Sequence, residues 1–204
     1  MAILVSTVQT KLTERLKDTR DLTSAQLISM AQDLNTLMYD EAVRQDSSRY
    51  ITSTSYSVGS SPSTHALPSD LNSFNVDGCG LFVQDSSGNL TGEVLTKTGY
   101  GSKQRGYYLE GDNIIFTGIN TVTVVLKYIP EIAEITTESD AFFVPDRYIA
   151  AVVQGMIAMY YRYEEDEERE SLAWQKYDPL FARFLDNLGR GSKVILLPSF
   201  TQGF

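Results

Sequence analysis

The sequence predicts an α+β fold: N- and C-terminal helices forming a helical bundle, an inserted antiparallel β-rich subdomain, and an extended C-terminal tail. Three observations predict it. Apolar residues recur every three or four positions near both ends, strand-like alternation replaces that spacing from about residue 47 to 130, and an apolar run, "VILLP", follows the last helical stretch. The expected boundaries are residues 1–46 and 131–189 for the bundle, 47–130 for the insert and 190–204 for the tail.

Each element has a local reason. Leu12 and Leu16 share a helical face, and a second face follows the N-cap candidate Thr23 with Leu27, Met30, Ala31, Leu34, Met38 and Ala42. The polar stretch "KDTRDLTS" separates the two helices. From Ser47, Tyr50, Thr52, Thr54 and Tyr56 alternate with small polar residues until Gly59 and Pro62 break the run, and no helical face passes through it. "DSSGN" and "EGDN" read as hairpin turns, and the β-branched "VTVVLKY" from Val122 to Tyr128 as a central strand, giving five to seven strands in all. Helical spacing returns after Pro145. Tyr148, Val152, Met156, Met159 or Tyr160, and Tyr163 form one stripe, in which Ala151, Gly155 and Ala158 permit close helix approach. The next helix carries Leu172, Trp174, Tyr177, Phe181, Phe184 and Leu188, with Pro179 expected to kink or split it. Gly189 and Gly191 are expected to stop it, leaving Lys193 to Leu197 as an apolar strand that needs a covering surface.

Composition narrows the function. A chain of 204 residues with 42% hydrophobic and 21% charged residues can bury one substantial core. No apolar run reaches the roughly 20 residues that cross a bilayer, and "MAILVSTVQTKL" lacks the charged start of a secretory signal, so a cytoplasmic protein without membrane contact is expected. The single cysteine, Cys79, forms no intrachain disulfide. A net charge of −9 opposes broad, static binding to a phosphate backbone while leaving transient contact with DNA open.

Chemistry is sparse. The one histidine, His65, has no ligand-spaced partner and reads as a loop residue. "GYGSKQRG" lacks the order of a phosphate-binding loop, and reads as a strand-to-strand loop. The acidic run Glu164 to Glu170 could draw divalent cations, but between two amphipathic helices it reads as a solvated junction. Of twelve tyrosines, Tyr148, Tyr160 and Tyr163 lie on the helical stripe, and Tyr107 and Tyr108 in a strand, which favours packing over ligand stacking. No catalytic, cofactor or metal site is nominated, and no enzyme activity is expected.

Four stretches together resemble the head-to-tail connector, or adaptor, proteins of tailed bacteriophages. "TSAQLISMAQDLNTLMYDEA" is like that family's second helix with its central Leu-Asn, and "RYITSTSYSVGSSPSTHALPSDL" is like the strand leading to a Leu-Pro-x-Asp step. "GYYLEGDNIIFT" is similar to its Tyr-x-Leu-x-Gly-Asn/Asp-x-Ile strand pair. "VVLKYIPEIAEITTESDAFFVPDRYIAAVVQGMIAMYYRY" is like its closing helices and the Tyr-x6-Leu-x4-Asp segment before them. The resemblance spans about residues 23–188. It implies a virion structural protein of the neck, made in the host cytoplasm. Such a protein forms a ring, of twelve copies by expectation, beneath the portal protein and above a tail or nozzle protein, with double-stranded DNA passing through. It also supplies a cover for the tail: Lys193, Val194, Ile195, Leu196, Leu197, Phe200 and Phe204 are the candidate contacts to the portal or a neighbouring subunit, adding as a strand to an exposed sheet edge. A carbohydrate- or receptor-binding β module, and an enzyme with an unrecognised site, are the competing classes.

Overall fold

The computed structural model describes residues 2–16 and 22–195, with side chains through Leu188. The fold is α+β, with four α-helices and antiparallel sheets among the described residues. It divides into two compact units, one built from residues up to Asp46 together with those from Ile132 onward, the other from Ser47–Glu131.

The first unit opens with a short strand, β1 (Ala2–Leu4), which runs into α1 (Val5–Leu16). Leu4, which precedes α1, has no side-chain acceptor to cap it. Instead, the Val5 and Ser6 amides donate to the carbonyls of Asp140 and Glu138, which satisfies two of its four orphan donors. Most of "KDTRDLTS" falls outside the described residues. After it, α2 (Ser24–Gln45) begins on a reciprocal cap: Thr23 Oγ1 accepts from the Gln26 amide, and Gln26 Oε1 accepts from the Thr23 amide. The expected face is buried, from Leu27 through Ala42.

The second unit contains β2 (Thr52–Val58), β3 (Ser63–Ala66), β4 (Leu71–Ser73), β5 (Gly80–Gln84), β6 (Leu90–Val94), β7 (Gly106–Glu110), β8 (Asn113–Thr117) and β9 (Val122–Pro130). These are eight strands against an expected five to seven; the extra ones are short pieces broken by Pro62, Pro68 and glycines. Both predicted turns are hairpins, joining β5 to β6 and β7 to β8. The predicted central strand is the hub: β9 lies between β2 and β5, with β4 on its far end. Alternate residues Tyr56, Val58, Leu81, Val83, Val124 and Leu126 form one buried face. They share a core with Tyr107, Ile114 and Phe116 of the three-stranded sheet β3-β8-β7. His65 is on β3 rather than in a loop, half-buried against Tyr56 and Phe116 and hydrogen-bonded to Ser63 Oγ at 2.9 Å. Strand alternation puts Ser63 and His65 on one side, and the aromatic contacts hold the ring there.

The chain returns to the first unit through β10 (Ala141–Pro145), which pairs antiparallel with β1, then a 3₁₀ turn and α3 (Ile149–Tyr163). Neither β1 nor β10 was evident from periodicity, because strands of three and five residues are too short to show one. Two polar side chains of α2 pin the incoming chain: Gln32 Oε1 accepts from the Ile135 amide at 2.7 Å and Asn35 Oδ1 from the Phe143 amide at 3.1 Å. Asn35 is 1% exposed, so this bond is shielded from water. In α3 every residue from Ala151 to Met159 is buried, whereas Tyr163, expected on the stripe, is half exposed. Gly155 is required: a Cβ there would lie 2.7 and 2.9 Å from the Leu34 methyls and 3.1 Å from the Tyr177 ring.

The last helix, α4 (Glu167–Ile195), packs along α3. Ala173, Tyr177, Phe181 and Phe184 are its buried positions, and Leu172, expected among them, is exposed. Phe184 meets the Tyr148 ring edge-on at 5.1 Å, as the antiparallel pairing of the two stripes requires. Pro179 does not split α4. Proline deprives the Gln175 carbonyl of its partner, and both residues are exposed, so water can serve that carbonyl.

Replacing Val152, which is fully buried, with Asp should prevent stable folding, because an unpaired buried charge costs several kcal/mol against a total stability of about 5–15 kcal/mol. A soluble variant with an unchanged thermal transition would refute this burial. Asn35→Leu removes the buried Asn35 Oδ1 bond to the Phe143 amide and should cost about 1–3 kcal/mol. That loss should register as a lower urea midpoint at constant slope.

Candidate interaction surfaces

The sequence placed the docking residues at the C-terminal end. The helix corrects part of that reading: α4 continues through Gly189 and Gly191 to Ile195, so Lys193, Val194 and Ile195 are helical, not extended. A glycine costs a helix about 1 kcal/mol relative to alanine, which propagation from a long preceding helix can absorb. Leu196, Leu197, Phe200 and Phe204 lie outside the described residues.

The β unit offers two exposed loops. In the β5–β6 hairpin, Asp85 Oδ1 accepts from the Ser87 and Asn89 amides at 2.9 and 2.8 Å, and Gly88 takes the positive φ of 86° that the turn needs. The loop before β7 is fixed by Arg105, whose Nε and Nη2 donate to both carboxylate oxygens of Glu93 on β6. Above it Tyr100 is 79% exposed, its ring edge-on to Tyr108 at 5.3 Å. Leu90 and Val94 are also exposed on β6, an edge strand.

The helical unit carries two grooves. One, of about 720 Å³, lies between α2 and α4. Its apolar floor is Leu37, Phe181 and Leu185, and its rim holds Asp33, Asp40, Glu41 and Asp178 with one cation, Arg44, which is paired to Glu41 at 2.9 Å. Tyr177 also lines it. That residue is 4% exposed, yet its hydroxyl has no hydrogen-bond partner among the described residues. Burial pushes the Tyr177 hydroxyl pKa well up, and the charges of Asp178 and Glu41 add to the rise. The second groove, of about 430 Å³, is lined by Arg15 and Leu16 of α1, Tyr161 of α3, and Arg169, Leu172 and Lys176 of α4. Neither groove was read from the sequence. The available signal was Leu37, an apolar residue off the α2 stripe, with Asp33, Asp40, Glu41 and Arg44 at helical spacing around it.

Ser63 Oγ and His65 Nε2 are hydrogen-bonded at 2.9 Å, and the other ring contacts of His65 are the aromatic side chains of Tyr56 and Phe116. Among the described residues no three His, Cys, Asp or Glu side chains gather to hold a metal ion, and no helix is long and apolar enough to cross a membrane. The sequence matches the SU10 adaptor protein family over residues 3–194. The chain belongs to that family. It is therefore a phage adaptor, and the family implies a structural, non-enzymatic role in the virion alongside portal and tail proteins. No curated protein matches the chain.

In this adaptor the acidic run is a helix junction. Asp166 caps α4 by accepting the Arg169 amide at 3.0 Å, and Glu167, Glu168 and Glu170 occupy the first turn, where carboxylates favour the positive end of the helix dipole. Glu170 Oε1 accepts from Trp174 Nε1 at 3.0 Å and from Arg162 Nε of α3 at 2.8 Å. The Arg162 guanidinium also lies over the Trp174 ring, 5.7 Å from its centre. The indole N–H, and after it the guanidinium, hold the Glu170 carboxyl below its ordinary pKa. A depressed carboxyl contributes stability above its unfolded pKa and loses it as pH falls through the folded value. Trp174→Phe should move the Glu170 pKa upward, toward the unfolded value, in a carboxyl-carbon NMR titration. An unmoved pKa would mean that the indole bond does not set it.

Proposed function

We propose that this adaptor is the head-to-tail connector of a tailed phage: a ring, of twelve copies, seated below the portal protein, joining the head to a tail or nozzle protein and letting double-stranded DNA pass through its channel. The observation that carries the reading is membership of the adaptor family across residues 3–194. The chain has the properties such a part needs. Rings of identical copies need surfaces for two neighbours rather than catalytic groups. Its net charge of −9 disfavours lasting phosphate contacts, as a conduit for DNA requires. In this reading the helices form a bundle facing the ring's interfaces, Ser47–Glu131 is an inserted β subdomain whose exposed loops reach other neck proteins, and the protein resides in the neck of the virion.

The C-terminal segment completes the joint. Lys193, Val194 and Ile195 bring the chain to the end of α4. Beyond them Leu196, Leu197, Phe200 and Phe204 supply apolar side chains for a groove or sheet edge of the portal, with an adjacent subunit as the other host. A ring presents many such segments at once, which multiplies a modest affinity. Deleting residues 196–204 should leave the helical signal and Tm of the isolated subunit nearly unchanged while abolishing attachment to portal-bearing heads, scored by electron microscopy of reconstituted particles. A large drop in Tm would assign the segment to the subunit's own core. Particle images without a ring of this chain between head and tail would overturn the connector reading itself.

A further inference from the structure

The two grooves of the helical unit are complementary. Among the described residues the α2–α4 groove sets four carboxylates against one guanidinium, and the groove shared by α1, α3 and α4 is lined by three cations and no carboxylate, with Arg169 paired at its edge to Asp166 at 3.4 Å. They also lie on opposite flanks of α4. Arg169 and Asp178, Leu172 and Phe181, and Lys176 and Leu185 are each nine residues apart, which is two and a half helical turns, so the members of each pair point in opposite directions. Each groove carries an exposed leucine, Leu37 at 42% in the acidic one and Leu172 at 49% in the basic one.

At the base of the acidic groove Tyr177 is buried, and its hydroxyl has no hydrogen-bond partner among the described residues. We infer that copies of this chain join head to tail through the helical unit, the acidic α2–α4 groove of one copy receiving the basic flank of the next. Leu172 of that flank covers the apolar floor beside Leu37. The charges select this pairing. Acidic groove against acidic groove, or basic against basic, would repel, which excludes a twofold contact through either patch and leaves the heterologous arrangement that closes into rings. The inference rests on the proposed ring for its closure, and adds the faces that form it.

The test is charge reversal in the full-length chain. Asp40→Lys with Asp178→Lys reverses one groove, and Arg15→Glu with Lys176→Glu the other; all four residues are exposed, and circular dichroism checks that both variants fold. Sedimentation velocity should show wild-type self-association that weakens with salt, and each variant alone should associate about tenfold or more weakly. An equal mixture of the two should recover assembly, since both contacts between unlike copies are then attractive. In a Cys79→Ser background, Leu37→Cys with Leu172→Cys should give a ladder of disulfide-linked oligomers on oxidation, in solution and in assembled particles. Rings that form normally from either variant, or without the ladder, overturn these faces and leave the ring standing. Variants that self-assemble but fail to join heads assign the grooves to other neck proteins and equally overturn the inference. The absence of any oligomer, free or on heads, overturns the ring and these faces together.

Discussion

Nine consecutive buried residues of α3, Ala151 to Met159, set the constraint that the rest of the helical unit answers. A helix that is apolar on every side has no solvent face and must be enclosed. Here α1, α2 and α4 all pack against it, and the chain supplying them comes from both ends of the sequence. The enclosure is tight enough that position 155 accepts no side chain, since Leu34 and Tyr177 already occupy the space beside it. Gln154, the polar residue within that buried run of α3, donates to the Ala173 carbonyl of α4 at 3.4 Å.

Polar side chains then decide where the irregular stretches run. Asn35 and Gln32 hold the backbone that approaches β10. Asp140 accepts the amides of Thr136 and Thr137, closing the turn just before that strand, and those bonds lower its pKa. In the β unit, Tyr128 on β9 donates to Asp70, while the Asp70 carbonyl accepts from Glu131. Burial, and then that bond, raise the Tyr128 pKa to about 12. Asn35, Asp70, Tyr128 and Asp140 all fall in the motifs by which the sequence resembles phage connectors. Each of the four is engaged in a specific hydrogen bond, so such a motif reads as isolated polar letters rather than as a run.

Much of this was legible because it is local. Thr23 followed three residues later by Gln26 announces a cap, "DSSGN" announces a tight hairpin, and the β-branched run at Val122 announces a strand with neighbours on both sides. What escaped depends on contacts distant in sequence. β1 and β10 exist because each pairs with the other, 140 positions away, and Ile3 looks equally suited to a helix. On α4 the buried position is Ala173 rather than Leu172, and the Ala173 carbonyl accepts from Gln154 of α3, a partner distant in sequence. The glycines at 189 and 191 suggested a stop that the long helix overrides. The candidate surfaces were the least legible, since each groove joins residues from separate helices whose charges look unremarkable one helix at a time.

The register of β2 with β9 pairs Thr52 with Tyr128, so the strand that enters the β unit and the strand that leaves it run side by side. Paired residues in an antiparallel ladder sit about 4.5–5.5 Å apart, close enough for a short link to join them. A module entered and left at one point can lengthen, shrink or be exchanged for another without rerouting the helices. That single doorway makes the β unit a part that can change on its own schedule.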